Sequence, residues 1–192
     1  QNNDRYFVKS TFQTDIFGKE VNTQARFIYT AEKLWRYDSG VYKPDGVDWL
    51  RAKVLEKLGK RWTKYHVDEV VTWVTDQSKI PIEQCNQHNG LINCLNGMLD
   101  YTNNVLLPHD PKYLSLAQIP VVYDPDVDCS QLDAFFQQVL PLDTIAVFWE
   151  YIGSIFVRDH YWPKAFLSII GEADCGKSKI LDALDKDDNR YV

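Results

Sequence analysis

The residues best suited to chemistry lie near the end of the chain, in the segment GEADCGKS. Gly171, Gly176, Lys177 and Ser178 satisfy the spacing G-x-x-x-x-G-K-[ST]. Glycines at these positions let backbone N–H groups approach a phosphate, while the lysine reaches the β- and γ-phosphates and the serine hydroxyl coordinates Mg²⁺. The segment therefore predicts a loop that binds ATP or another nucleoside triphosphate with Mg²⁺, and Ser178 is the predicted metal contact.

The residues around this loop predict the elements that position it. Residues 165–170 form a nearly continuous apolar run, which is typical of a strand covered on both faces, and residues 179–184 begin a helix. A helix that starts at the loop directs its positive N-terminal end at a bound phosphate. Glu172 and Asp174 bring negative charge into the same loop.

Nucleotide hydrolysis needs groups beyond the loop, namely an acidic residue on a second strand and usually an arginine. Only 14 residues follow Ser178, and the aspartates among them do not lie on an apolar strand. No catalytic residue is therefore assigned. The chain starts at Gln1 without a methionine, so we expect it to be a piece of a longer protein. We expect this piece to bind nucleotide weakly and not to turn it over.

A basic run predicts a second kind of contact. Residues 51–64 hold only one acid, Glu56, against six basic residues: Arg51, Lys53, Lys57, Lys60, Arg61 and Lys64. The run fits either a local DNA-binding patch or a solvated helix face. The net charge of −6 argues against nucleic-acid binding by the whole surface. Trp162, which has basic neighbours, fits either a stacking group for DNA or a packed core residue.

Cysteines and asparagines allow two further interpretations. Cys85, His88, Cys94 and Cys129 could form a zinc site, but their spacing is not one of the usual paired forms, and buried apolar roles are favoured for the first and third. The four cysteines are too dispersed for a disulfide framework and favour a reducing compartment. A structural role in turns is favoured over DNA contact for four asparagines: Asn86, Asn89, Asn93 and Asn96.

The composition, with 45% apolar and 25% charged residues, indicates a globular chain. The pattern predicts an α+β class, with mixed helices and short β-hairpins followed by the start of an α/β P-loop NTPase domain. A hairpin is predicted over residues 34–43, and a helix is predicted from the apolar spacing of residues 67–74. Five tryptophans are predicted to be core anchors: Trp35, Trp49, Trp62, Trp73 and Trp149. No apolar run is long enough for a membrane span.

Several stretches resemble one known family, the phage and plasmid primase–helicases and their poxvirus relatives. The most specific stretch is IPIEQCNQHNGLIN at residues 80–93, followed by NGMLD at residues 96–100. The other similar stretches are residues 40–46, 66–70, 107–109, 120–125, 150–153 and 164–167, together with the GKS loop. The likeness covers about residues 25–184. The loop departs from the family at Ala173, where glycine is common, and at residues 174–175.

This resemblance implies a place in DNA replication. In such proteins the region joins an upstream primase to a downstream superfamily 3 helicase, a ring-forming ATPase that moves along DNA in the cytoplasm of the host cell. DNA and further copies of the chain, as a hexameric ring, are the implied partners. The expected organisation is an arm or linker at residues 1–25, an α+β connector domain at residues 26–160, and the truncated start of the helicase domain at residues 161–192. Two alternatives remain: a non-catalytic DNA-binding or ring-assembly module, and an unrelated P-loop NTPase with an acidic N-terminal domain.

Overall fold

The computed structural model describes residues 3–156, 166–173 and 175–184. The chain divides into two compact units, residues 1–123 and residues 124–192. Helices combine with small antiparallel sheets, which confirms the predicted α+β class. The domain boundary expected at residue 160 lies outside the described residues.

The first unit contains three helices and eight short strands within its described residues. The helices are α1 (Thr14–Gln24), α2 (Gly46–Leu58) and α3 (Lys64–Gln77). The strands are β1 (Phe7–Val8), β2 (Thr11–Phe12), β3 (Phe27–Thr30), β4 (Lys33–Asp38), β5 (Val41–Lys43), β6 (Leu91–Cys94), β7 (Gly97–Asp100) and β8 (Val105–Leu107). They form antiparallel sheets in the orders β1-β2, β3-β4-β5 and β6-β7-β8. Neighbouring strands are consecutive in the chain, so local turns set each register.

Two hairpins test the expectations from turn residues. The predicted hairpin over residues 34–43 is confirmed, because Tyr37 pairs with Tyr42 across β4 and β5. The sequence also predicts a hairpin in which residues 94–100 and 105–107 flank residues 102–104, and it is confirmed because Met98 pairs with Leu107 across β7 and β8. Its first strand is shorter than predicted, since a turn at residues 95–96 separates β6 from β7. Residues 121–123 form no strand. Instead, the side chain of Asn96 bonds to the backbone N and O of Tyr123, at 2.9 Å each.

The core of the first unit lies between its helices. Val67, Val70 and Val74 on α3 are buried, as their helical spacing predicts. At Gly18 on α1, a Cβ atom would fall 2.3 Å from a ring carbon of Trp73 on α3. The absence of a side chain at Gly18 therefore permits the close approach of these two helices.

Residues 6–25 contribute side chains to this core, which differs from the arm or linker expected over residues 1–25. Phe17 and Val21 on α1 and Tyr6 before β1 are each 1% exposed or less. The rings of Tyr6 and Phe17 lie 5.0 Å apart, and Phe12 lies 5.8 Å from Phe17. Burial of these apolar rings against α2 and α3 provides the free energy that orders the segment. Its weak periodicity in the sequence did not indicate this.

A buried polar network joins β6 to the loops beside it. Asn93 is 6% exposed, and its amide donates to Gly40 O at 3.0 Å and to Ser115 Oγ at 2.9 Å. Its carbonyl oxygen lies 3.1 Å from His109 Nε2 and accepts from Gln118 at 3.2 Å. A structural role is thus confirmed for Asn93, but the residue lies on β6 and not in a turn as predicted. Because the partners come from three separate segments, at residues 40, 109 and 115–118, this one side chain fixes their relative positions.

Because the hydroxyl group of Tyr42 on β5 is buried, we expect the protein to lose stability at high pH. Its side chain is 4% exposed, and burial raises its pKa to about 12. The unfolded value is about 10, so the raised pKa contributes stability below pH ~10 that is lost as the pH rises toward 12. We expect the free energy of unfolding to fall over this window, and to fall less in Tyr42→Phe. Urea titrations at several pH values measure this, with the exposed Tyr65→Phe as the control that should behave like wild type.

The second unit has a helical core in its described part. Its helices are α4 (Ser130–Val139), α5 (Leu142–Phe156) and α6 (Lys177–Leu184). Phe136, Phe148 and Ile180, one from each helix, form the buried cluster, and the rings of Phe136 and Phe148 lie 5.0 Å apart. Helix α6 confirms the helix expected after the loop.

The strand expected at residues 165–170 is not formed over its described part. Residues 166–170 have no regular secondary structure, and Phe166 and Ile170 are 85% and 90% exposed. A strand covered on both faces needs neighbouring strands and layers, and the described residues of this unit contain no other strand. Leu167 and Ile169 instead pack against the cluster of Phe136, Phe148 and Ile180.

Candidate functional site

The loop before α6 holds Gly176 in a conformation that suits glycine. Its φ of +90° lies in the left-handed region, and a Cβ atom there would lie 3.0 Å from Val139 Cγ1. Ile180, one turn into α6, is 1% exposed within the core of the unit. The core therefore fixes the first turn of α6, and the loop reaches that turn through Gly176.

Lys177 spans the loop with its ammonium group. Its Nζ atom donates to Gly171 O at 2.9 Å and to Glu172 O, and it lies 3.4 Å from Cys175 Sγ. These contacts bring the first and seventh positions of the motif together. The ammonium group lies at the start of α6, where the helix also contributes partial positive charge.

The other motif residues lie at the surface. Ser178 is exposed in the first turn of α6, and Gly171 and Glu172 are exposed at the start of the loop. The carboxylate of Glu172 can remain in solvent while its backbone carbonyl holds Lys177. Asp174 lies outside the described residues. An ammonium group, a hydroxyl group and a helix N-terminus form a donor set that fits an anionic phosphate ligand with Mg²⁺.

The basic run of residues 51–64 does not form one uniform surface. Arg51 binds Asp48 at 2.8 Å, and Lys53 binds Glu56 at 2.7 Å. These are ion pairs along α2, as expected for a solvated helix face. Both pairs offset much of the positive charge that the sequence places there.

Lys57 is engaged with the N-terminal segment. Its Nζ atom lies 2.7 Å from Glu20 on α1, and the lysine side chain is 17% exposed. Burial of Glu20 opposes its ionisation, but hydrogen bonds from Lys57 and Tyr6 hold the pKa of its carboxyl below the usual value. The ion pair between Lys57 and Glu20 thus links α2 to α1.

The rest of the run lies between the end of α2 and the first turn of α3, which contains Lys64 and Tyr65. Lys60, Trp62, Lys64 and Tyr65 are exposed there, with Trp62 at 39% and Tyr65 at 66%. Neither lysine makes an ion pair with a side chain that the structure describes. We call residues 60–65 the interhelical segment. Trp62 was predicted to be a core anchor, but the buried clusters of the described residues do not include it.

Aromatic residues of the β1–β2 hairpin support the interhelical segment. The guanidinium of Arg61 lies 3.4 Å from the ring centroid of Phe7. The ring of His66 lies 5.7 Å from that of Phe7 and 4.6 Å from that of Phe12. Thr63 accepts a hydrogen bond from His66 N at 3.3 Å as the N-cap of α3. These contacts fix the backbone from which Trp62 and Tyr65 project.

Sequence reasoning missed the two exposed aromatic residues of the interhelical segment. Trp62 follows the glycine that ends α2, at Gly59, and precedes the N-cap at Thr63. A tryptophan between two helices belongs to neither apolar face. Its position between the two helices was the sequence feature that indicated an exposed side chain.

The remaining candidates are Trp162 and the cysteines considered for a zinc site. Trp162 lies outside the described residues. Cys85 and Cys94 are 4% and 5% exposed, and burial raises the pKa of each thiol, which confirms the favoured apolar roles. Within residues 3–156, 166–173 and 175–184, no group of three or more His, Cys, Asp or Glu side chains is placed to hold a metal ion.

Comparison with known protein families identifies the first unit and the start of the second. The family model described as D5 N terminal like matches residues 11–141, which is more than half of the 192-residue chain. The chain belongs to this family. The D5 N-terminal-like domain is the N-terminal region of phage and viral primase–helicases, so the chain has a context in DNA replication.

Two further findings complete the comparison. A search of curated proteins found no match. Among the helices that the structure describes, none combines the length and apolar character needed to cross a membrane. The D5 N-terminal-like match begins within the β1–β2 hairpin and extends to the turn between α4 and α5. The loop of residues 171–178 lies after the matched range.

Proposed function

We propose that this chain is the connector region of a superfamily 3 primase–helicase and carries the nucleotide-binding loop of its motor. In the intact protein, residues 171–178 bind a nucleoside triphosphate with Mg²⁺, and the D5 N-terminal-like region positions DNA. The intact protein assembles as a ring, with a hexamer as the expected size, and acts in the cytoplasm of the host cell. The single observation that supports this most is the family match, followed within 30 residues by the GKS loop.

The geometry of the loop supports the nucleotide-binding part of the proposal. Gly176 has the positive φ that such a turn uses, and Lys177 is held across the loop by the carbonyls of Gly171 and Glu172. A phosphate at the start of α6 would meet the Lys177 ammonium group and the backbone N–H groups of the first turn. The bound nucleotide would supply the phosphoanhydride bond whose hydrolysis drives movement along DNA.

The residues of this chain have distinct roles in that binding. Lys177 neutralises phosphate charge, and Ser178 offers its hydroxyl group to the metal ion. Ile180 anchors α6 in the core, so that the loop is held at a fixed helix end. Acidic and arginine groups that activate water are assigned to no residue of this chain.

Replacement of Lys177 by alanine tests the proposal. Because the variant loses a charge-assisted hydrogen bond to phosphate, we expect about 10- to 100-fold weaker binding of ATP with Mg²⁺ by the intact protein. Lys179→Ala is the matched control, since Lys179 lies two residues further on and pairs with Asp182 at 3.4 Å. Its affinity should stay within about threefold of wild type. Calorimetric titration of each variant measures the affinity.

Equal affinities of the wild type and Lys177→Ala would refute nucleotide binding at this loop. A wild-type intact protein that binds no nucleotide would do the same. In either case, the D5 N-terminal-like region would be assigned a non-catalytic role in DNA binding or ring assembly. Light scattering with and without ATP then measures whether a ring still forms.

A further inference from the structure

We propose that the interhelical segment, residues 60–65, is a binding surface for single-stranded nucleic acid. The proposal rests on the proposed function, because it specifies how the D5 N-terminal-like region holds DNA. Within the basic run of residues 51–64, the proposal assigns phosphate binding only to the lysines that have no carboxylate partner. Trp62 and Tyr65 provide stacking faces, and Lys60 and Lys64 provide phosphate contacts.

The charge of the segment suits a polyanion. Residues 57–67 contain four lysine or arginine side chains and no aspartate or glutamate. Lys57 is held by Glu20, whereas Lys60 and Lys64 are exposed and make no ion pair within the described part of the chain. Lysines without a carboxylate partner exchange small counterions for phosphates, and the released ions favour binding. The net charge of the whole chain is −6, so this attraction is local.

The aromatic residues favour a single strand over a duplex. Trp62 is 39% exposed and Tyr65 is 66% exposed, so both rings have surface that a base can stack on. Unpaired bases stack on such rings, whereas the bases of a duplex already stack on one another and do not present their faces. A protein partner suits the surface less, because lysine is depleted in the buried centre of protein interfaces.

The backbone of the segment is held in place before any ligand binds. Trp62 and Thr63 are both extended, with ψ values of 137° and 156°, between a 3₁₀ turn at Gly59–Arg61 and the start of α3. Arg61 stacks on Phe7 beneath the segment, and His66 packs on Phe12. A fixed platform loses little conformational entropy on binding, which favours affinity.

Binding of a fluorescein-labelled oligothymidylate of about 20 nucleotides, longer than one expected site, tests the surface. Fluorescence anisotropy is measured for the 192-residue chain at several salt concentrations, with a duplex of the same length alongside. We expect the single strand to bind more tightly than the duplex. Trp62→Ala should bind about 5- to 100-fold more weakly, and Trp62→Phe should recover most of this loss.

Lys60→Ala/Lys64→Ala is compared with Arg51→Ala/Lys53→Ala, which removes the same charge from the paired cations of α2. The first double variant should reduce the slope of log affinity against log salt by about 1.4, and the second should leave the slope close to wild type. Thermal melting checks that each variant is folded.

Three results would contradict the proposal that residues 60–65 bind a single strand. They are equal losses in the two double variants, unchanged affinity in Trp62→Ala, and absence of single-strand binding by the wild type. If the wild type binds the strand and the variants bind equally well, the DNA-positioning role stands and the surface lies elsewhere. The proposed nucleotide binding is tested separately, by the titration of Lys177→Ala with ATP and Mg²⁺.

Discussion

Replacement of Phe17 by alanine is expected to lower the free energy of unfolding of the first unit by about 3–5 kcal/mol. Phe17 is fully buried on α1 and contacts the rings of Tyr6 and Phe12. Truncation removes the apolar area of the ring and leaves a cavity that the surrounding helices fill only in part. This is a large share of the stability of a typical domain, which is about 5–15 kcal/mol.

Urea denaturation of the purified chain measures this loss as a lower midpoint. Ile16→Ala is the matched control, because Ile16 is the preceding residue on the same helix and is 42% exposed. Its loss should be about 0.5 kcal/mol or less. If Phe17→Ala does not fold, Phe17→Leu provides the comparison and should lie between the two. Similar midpoints for Phe17→Ala and Ile16→Ala would show that α1 is an arm outside the core.

Asn93→Ala is expected to lower the free energy of unfolding by about 2–4 kcal/mol. The change removes the donor to Gly40 O and one of the two partners of His109 Nε2. His109 and Gln118 keep their contacts with Cys94 O, at 2.9 and 3.2 Å, so the carbonyl of Gly40 is the main group that loses its partner. A buried carbonyl without a hydrogen bond carries the full cost of its lost hydration.

Asn96→Ala is the control for this substitution. The Asn96 side chain also makes two backbone hydrogen bonds, to Tyr123, but it is exposed, so water can replace them. We expect its loss to be about 1 kcal/mol or less. Chemical denaturation of both variants under the same conditions compares them. A loss for Asn93→Ala no larger than that for Asn96→Ala would contradict the central role of Asn93 in the network.

The proposed nucleotide-binding loop and the proposed DNA surface differ in the sequence separation of the residues that define them. The proposed nucleotide-binding loop is a local motif, so its spacing was sufficient to locate Gly176, Lys177 and α6. The proposed DNA surface depends on which lysines lack a carboxylate partner. Lys57 is not available for DNA because it pairs with Glu20, 37 residues away. Sequence patterns within a helix carry no information on such a partner. The same limit applies to Trp62, whose exposure depends on where α2 and α3 pack.

The sequence by itself determined the α+β class, the hairpin of β4 and β5, the buried face of α3 and the start of a helix after the GKS motif. Each depends on residues only a few positions apart, such as Val67 and Val70 one helical turn apart. The tertiary structure decided the burial of α1, the absence of a strand at residues 166–170 and the exposure of the interhelical segment. These depend on contacts between distant segments, because burial and strand pairing require partners that local spacing does not specify.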